Sequence, residues 1–228
     1  MAHASRTSRN ILIALLSTIL LNSCSEGVVT FTGGTATVRV FNAQTKAGLV
    51  KLYADSAEVI NALPAGTLSA EFSIPSGRYV LFEAFSQDSP HIRLAVQRYV
   101  MADKQSYTLV IRGALITDFF RPIVDTLVSP FPGRAAIKVI NASEDAYIQV
   151  LANGETVGVP VVDAQTALPF VPIEGGQYTI SVGDVDTQQK VGNDSTVVLK
   201  PGECYYLFVF DYRSGSQVAQ RWFIRKVD

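Results

Sequence analysis

Val38-Arg39-Val40-Phe41-Asn42-Ala43 and Ile137-Lys138-Val139-Ile140-Asn141-Ala142 are one stretch written twice, 99 residues apart. Ile74-Pro75-Ser76-Gly77-Arg78-Tyr79 returns as Ile173-Glu174-Gly175-Gly176-Gln177-Tyr178 at the same spacing. So does Tyr107 ahead of Leu109-Val110-Ile111, as Tyr206 ahead of Phe208-Val209-Phe210. Three separated blocks that keep one spacing indicate a duplication, and a unit of that length is a domain rather than a solenoid repeat. The tails Phe119 to Asp125 and Trp222 to Asp228 match at a slightly larger spacing, so the repeats run over residues 36–125 and 135–228.

Within each repeat the apolar period is two. Val38 and Val40 alternate with Thr37 and Arg39, and Tyr178, Ile180 and Val182 alternate with Gln177, Thr179 and Ser181. That pattern predicts half-buried strands, with Arg39 on the solvent side. β-branched and aromatic residues fill the runs, and Asn153-Gly154, Gly175-Gly176 and Pro201-Gly202 punctuate them as turns. Gly77 and Gly176, each just before a strand-opening tyrosine, read as turn glycines at positive φ. Roughly seven or eight short strands in about 90 residues is the pattern of an antiparallel, immunoglobulin-like β-sandwich. The fold expectation is all-β, with two tandem sandwiches. Residues 126–134, Thr-Leu-Val-Ser-Pro-Phe-Pro-Gly-Arg, form a stiff linker whose Leu127, Val128 and Phe131 are expected to pack on the domains.

The repeated Val/Ile-x-Asn-Ala blocks, the Ser143-Glu144-Asp145-Ala146 that follows the second, Asn153-Gly154 and the later Ile-x-x-Gly-x-Tyr together resemble the domain-of-unknown-function family numbered 4397. The resemblance covers both repeats and is better in the second, because Gln44-Thr45-Lys46 departs from the family's Ser-Pro-Asp-like turn. It implies secreted or lipid-anchored bacterial sandwich modules, often in tandem, and transfers no catalytic residue.

The first residues point the same way. Arg6 and Arg9 lead into the apolar run Ile11 to Leu21, which at 11 residues is shorter than the roughly 20 needed to span a bilayer and has a signal-peptide profile. Leu21-Asn22-Ser23-Cys24 then resembles a lipobox, in which a peptidase cuts between a small residue and a diacylglycerol-bearing cysteine; Asn22 is the one departure. Residues 1–23 are expected to be removed, Cys24 to be lipidated and residues 24–35 to form a tether, with several acyl chains supplying the membrane affinity. Ser25, rather than aspartate, after Cys24 favours the outer membrane of a bacterial envelope. Cleavage removes Arg6 and Arg9 and no acid, taking the formal net charge from −1 to −3, which speaks against nucleic acid as a partner.

Of two cysteines Cys24 is consumed by lipid, so Cys204 has no disulfide partner and reads as a small buried hydrophobe. His3 departs with the leader and His91 alone remains, without triad spacing or a soft-metal set, so no cofactor and no enzymatic activity are expected. Two weaker candidates stand. Tyr205, Tyr212 and Trp222 are aromatics for a ligand such as a sugar ring, Tyr206, Phe208 and Phe210 being assigned to the core by the 99-residue spacing. Asp184, Asp186, Asn193 and Asp194 offer hard oxygens for calcium, although turn formation in a solvated hairpin explains them equally well. Asn42 and Asn141 read as Asx-turn residues. The leading functional expectation is a non-enzymatic, lipid-anchored envelope module for binding or adhesion, with an envelope protein or glycan as partner. The alternatives are a structural subunit of an envelope assembly, and a carboxylate- or calcium-dependent glycan hydrolase.

Overall fold

A computed structural model describes residues 33–44, 48–112, 122–126, 128–214 and 217–227. The lipobox cysteine Cys24, the leader and the linker's Leu127 lie outside them. The described residues are all-β, without a helix, and form four open sheets.

In the first repeat β3 (Ala57–Pro64), β2 (Leu49–Ala54), β5 (Tyr79–Ser86) and β6 (Arg93–Val100) make an outer sheet in that order. β4 (Phe72–Pro75), β1 (Thr35–Asn42), β7 (Ser106–Ile111) and β8 (Ile123–Val124) make the inner one. The second repeat has the same plan. β11 (Glu155–Thr156), β10 (Ile148–Ala152), β14 (Gly176–Asp184) and β15 (Ser195–Leu199) form its outer sheet. β12 (Thr166–Ala167) and β13 (Val171–Ile173) both pair with β9 (Ala135–Asn141), which continues to β16 (Cys204–Ser214) and β17 (Gln217–Lys226) in its inner sheet. The antiparallel expectation gives way at one place per repeat: β1 pairs parallel with β7, and β9 parallel with β16.

Each sandwich closes on its own core. Val38, Val40, Leu109 and Ile111 of the inner sheet meet Val50, Leu52, Val80 and Phe82 of the outer one. In the second, Ile137, Val139, Leu207 and Val209 meet Ile148, Val150, Ile180 and Val182. A third cluster joins the repeats: Phe41, Val110 and Ile123 from the first inner sheet pack on Ile140, Tyr206, Phe208 and Phe210 from the second. The order of layers is therefore outer, inner, inner, outer. Phe41 lies 4.6 Å from Phe208 and 5.2 Å from Phe210 between ring centroids, and Phe208 stacks on Phe223 at 5.1 Å. Aromatic pairs of this kind add about 0.5–1.5 kcal/mol each beyond the area they bury.

This layering corrects the half-buried reading of the inner strands. Arg39 lies on the face away from its sandwich core, as its alternation predicts, but that face is covered by the second repeat and Arg39 is only 5% exposed. Of the linker's apolar residues, Phe131 packs against the inter-repeat cluster while Val128 stays 70% exposed, bridged through its backbone to Glu203.

The register also departs from a uniform 99. β1 and β9 keep that spacing, as do Ile74 and Ile173, which pair with Ala36 and Ala135. Elsewhere it is 98: Val38 pairs with Tyr107, but Ile137 pairs with Tyr205. The hydroxyl of Tyr107 accepts the N–H of Ala102, and that of Tyr205 accepts the N–H of Lys200, five residues back in each case. A slip of one residue turns every side chain to the other face. Tyr205, not Tyr206, is thus the counterpart of Tyr107. Tyr79 is exposed whereas Tyr178 packs on a core. Gly77 has the expected positive φ of 71°, but Gly176 is not among the positive-φ glycines and opens β14 opposite Leu199.

Candidate functional site

The three aromatics do not share a surface. Tyr205 alternates with Leu207 and Val209 toward the second core, is 7% exposed, and donates its hydroxyl to Glu203 Oε2 at 2.7 Å. Trp222, opposite Val209 on β17, packs against that same core. Tyr212 lies on the other face with Phe208 and Phe210, its ring under the Arg221 guanidinium at 3.7 Å. A platform built from all three is excluded by the strand alternation itself.

The aspartate loop is a braced hairpin. Asp184, 9% exposed, accepts the N–H groups of Asp186 and Thr187 on Oδ1 at 3.0 and 2.9 Å, an Asx turn that closes the end of β14. Asp194 Oδ2 takes Lys190 Nζ at 2.6 Å; that bond and one from Ser181 hold the Asp194 carboxyl below its ordinary pKa. Asn193 is exposed. Among the described residues no three His, Cys, Asp or Glu side chains are grouped to hold a metal ion. His91 is an exposed loop residue.

Asn42 and Asn141 are structural in both repeats. Each is fully buried and accepts on Oδ1 the N–H two residues on, Gln44 at 3.0 Å and Ser143 at 3.2 Å. Asn42 Nδ2 donates to Leu63 O of β3, and Asn141 Nδ2 to Ala146 O in the loop that follows, tying each strand end to a neighbouring segment.

Sequence reasoning missed the polar knot between the repeats. Asp125 Oδ1 accepts Thr108 Oγ1 at 2.8 Å and, from the other repeat, the Tyr206 hydroxyl at 3.0 Å. Arg39 Nε stands 3.5 Å from Asp125 Oδ2, while Arg39 also donates to Glu71. Burial raises the Asp125 pKa, opposed by Thr108, Tyr206 and Arg39. Burial also lowers the Lys138 pKa, against the attraction of Asp125; Lys138 sits over the Phe170 ring at 4.8 Å. The Tyr206 hydroxyl and the buried Cys204 thiol are pushed up by the same desolvation. The Tyr206 hydroxyl ties the second repeat to a carboxylate held by the first, so the knot helps fix how the two sheets meet. The signal in the sequence is a cation at one place in both copies, Arg39 and Lys138, which the alternation assigned to solvent.

The described residues include two concave regions on the second sandwich. One, of about 490 Å³, lies on the outer face of β10 and β14 beside the hairpin, lined by residues that include Gln149, Leu151, Ser181, Gln188 and Gln189. A smaller one, of about 230 Å³, lies between Glu155, Gly158, Pro172 and Tyr178.

Comparison with known proteins agrees with the family of the sequence resemblance, over the first repeat and the start of the second. Residues 36–148 match the model of the family described as domain of unknown function (DUF4397), from the second residue of β1 to the first of β10. None of the curated proteins compared with this sequence matches it. Among solved structures, a crystal structure of a candidate cell adhesion protein from Bacteroides eggerthii DSM 20697 aligns over 85% of this chain and 96% of its own, at 8% identity and a TM-score of 0.22. A similarity that low carries no functional argument.

Proposed function

We propose, starting from a chain whose residues 36–148 carry a DUF4397 domain, that it is a non-enzymatic, lipid-anchored module of a bacterial cell envelope, tethered through Cys24 and offering its two sandwiches for binding or adhesion. The observation that carries this reading is the fusion of the repeats through their inner sheets. Phe41, Phe208 and Phe223 and the Asp125 knot are spent on holding one copy to the other. The outer faces and the connecting loops are the surfaces left to meet a partner, and loops on a rigid scaffold commonly carry recognition. The lipobox-like Leu21 to Cys24 supports the anchor, Ser25 after Cys24 supports an outer-membrane location, and the acidic mature chain supports a partner other than nucleic acid.

Labelling cells with a fatty-acid probe tests the anchor. The native chain incorporates the probe and partitions with membranes, whereas Cys24→Ala remains folded, unlabelled and soluble. Equal incorporation into both would remove the lipid anchor from the proposal. Recovery of the acylated chain from native membranes, with and without crosslinking, then separates a reversible binder from a fixed subunit of a larger assembly.

A further inference from the structure

We propose that the groove on the outer face of the second sandwich binds a neutral, hydroxyl-rich ring of the sugar class, a site that rests on and sharpens the binding-module reading. The duplication supplies an internal control. In the first repeat the cross-strand pairs on this face are Lys51 with Phe85 and Tyr53 with Glu83. The Tyr53 and Phe85 rings meet edge to face at 5.7 Å, Tyr53 bonds Glu58 at 3.2 Å, and the surface is filled. The corresponding pairs in the second repeat are Gln149 with Gly183 and Leu151 with Ser181. Glycine and serine in place of phenylalanine and glutamate open the groove of about 490 Å³. Both sheets form with their own set, so the hydrogen-bonded ladder requires neither.

The groove is also walled by something the first repeat lacks. Six residues, Gln87 to Ile92, join β5 to β6, but ten, Val185 to Asp194, join β14 to β15. Asp184 braces the longer hairpin through two N–H groups, Gly183 bridges to Lys190, and Lys190 pairs with Asp194. Gln188, on the groove's rim, is held at φ 55°, in the left-handed region. The acidic residues that suggested calcium thus position the wall.

The lining selects the ligand class. Gln149, Gln188 and Gln189 carry both donors and acceptors, and Ser181, whose O–H is given to Asp194, adds an acceptor. Lys190 is the cation of the lining and is neutralised by Asp194, which disfavours a site built for an anion. Leu151 and Gly183 give a flat apolar floor for the C–H face of a ring, and the volume lies in the range of about 300–1,000 Å³ usual for small-molecule sites.

The test titrates the full chain with methyl glycosides of glucose, galactose, mannose and N-acetylglucosamine, following backbone amide shifts by NMR. At least one should shift amides of β10, β14 and the hairpin in a saturable way. Gly183→Phe restores the first repeat's residue; a Cβ at Gly183 comes no nearer than 3.9 Å to Gln189 O, so the backbone accepts it. It should weaken binding at least about tenfold at unchanged melting temperature. Gln149→Ala, which removes one amide and fills nothing, should weaken it by a smaller factor and serves if the first variant misfolds. Saturable shifts confined to the first sandwich, native affinity in both variants, or no shift with any glycoside would overturn the assignment. A chain that binds no glycoside yet is lipidated and captures an envelope protein sinks this inference alone and leaves the module reading standing.

Discussion

β16 is buried at every position from Cys204 to Asp211, whereas β5 alternates strictly between buried and more exposed residues from Tyr79 to Ser86. Both strands lie inside a sheet and both carry apolar runs; they differ in what covers their second face. β5 has solvent there, and β16 has the other repeat. A strand covered on both sides has no polar face to reveal its period, so composition replaces alternation as its signature. The polar groups on such a face must then be paired, which is why the inner sheets hold Asp125 with Thr108 and Tyr206 while the outer sheets carry solvent-facing ion pairs such as Arg93 with Glu83.

The comparison breaks first if truncation at the inner boundary is tolerated. Phe41→Ala removes a fully buried ring in contact with Phe208, Phe210 and Phe223, and should cost about 3–5 kcal/mol in urea unfolding. Tyr206→Phe deletes one donor to a buried carboxylate and should cost about 1–3 kcal/mol, visible as a lower melting temperature at neutral pH.

The knot also makes a statement about pH. Burial raises Asp125 above its ordinary 3.8 in the folded chain, so the folded state binds that proton more readily than the unfolded one. The resulting stabilisation is complete below 3.8 and is lost as pH rises through the folded value. Asp211, raised for the same reason, acts in the same direction, while the lowered surface carboxylates Asp55, Asp194 and Glu203 oppose it. Asp125→Asn should therefore remove a component that favours the folded state on acidification. Its melting temperature should fall more than that of the native chain between pH 7 and pH 4; identical pH profiles would mean that Asp125 titrates as if solvated.

Smaller effects sharpen the contrast. Gly77→Val places a β-branched residue at φ 71° and should destabilise by about 1–3 kcal/mol, whereas Gly176→Val, inside a strand, should do much less. Thermal unfolding of the pair decides it. Tyr79→Ser on the outer face, where Tyr79 is 70% exposed, should stay within about 0.5 kcal/mol of the native chain.

The duplicated blocks made the class of fold and the strand content legible, because turn residues and β-branched runs act locally. The same blocks misplaced two strands. With Tyr205 and Tyr206 adjacent, either could match Tyr107, and only hydrogen bonding to the preceding turn selects Tyr205. That single slip sent Tyr205 to the ligand list and Tyr206 to the sandwich core, when Tyr205 is the core residue and Tyr206 joins the repeats. Asp184 was legible as a turn former but not as a buried brace, since its burial depends on the hairpin that follows. The groove was not legible, because its meaning lies in the difference between Phe85 and Gly183, which becomes visible once both are on corresponding strands.

One apolar cluster is shared across the two inner sheets. The chain's one tryptophan, Trp222, reports on the second sandwich, and Phe41 belongs to the first. Unfolding in urea, followed by Trp222 fluorescence, should show a clearly lower midpoint in Phe41→Ala than in the native chain, because losing the ring loosens both repeats together. A Trp222 midpoint unmoved by Phe41→Ala, with the first repeat alone destabilised, would contradict it.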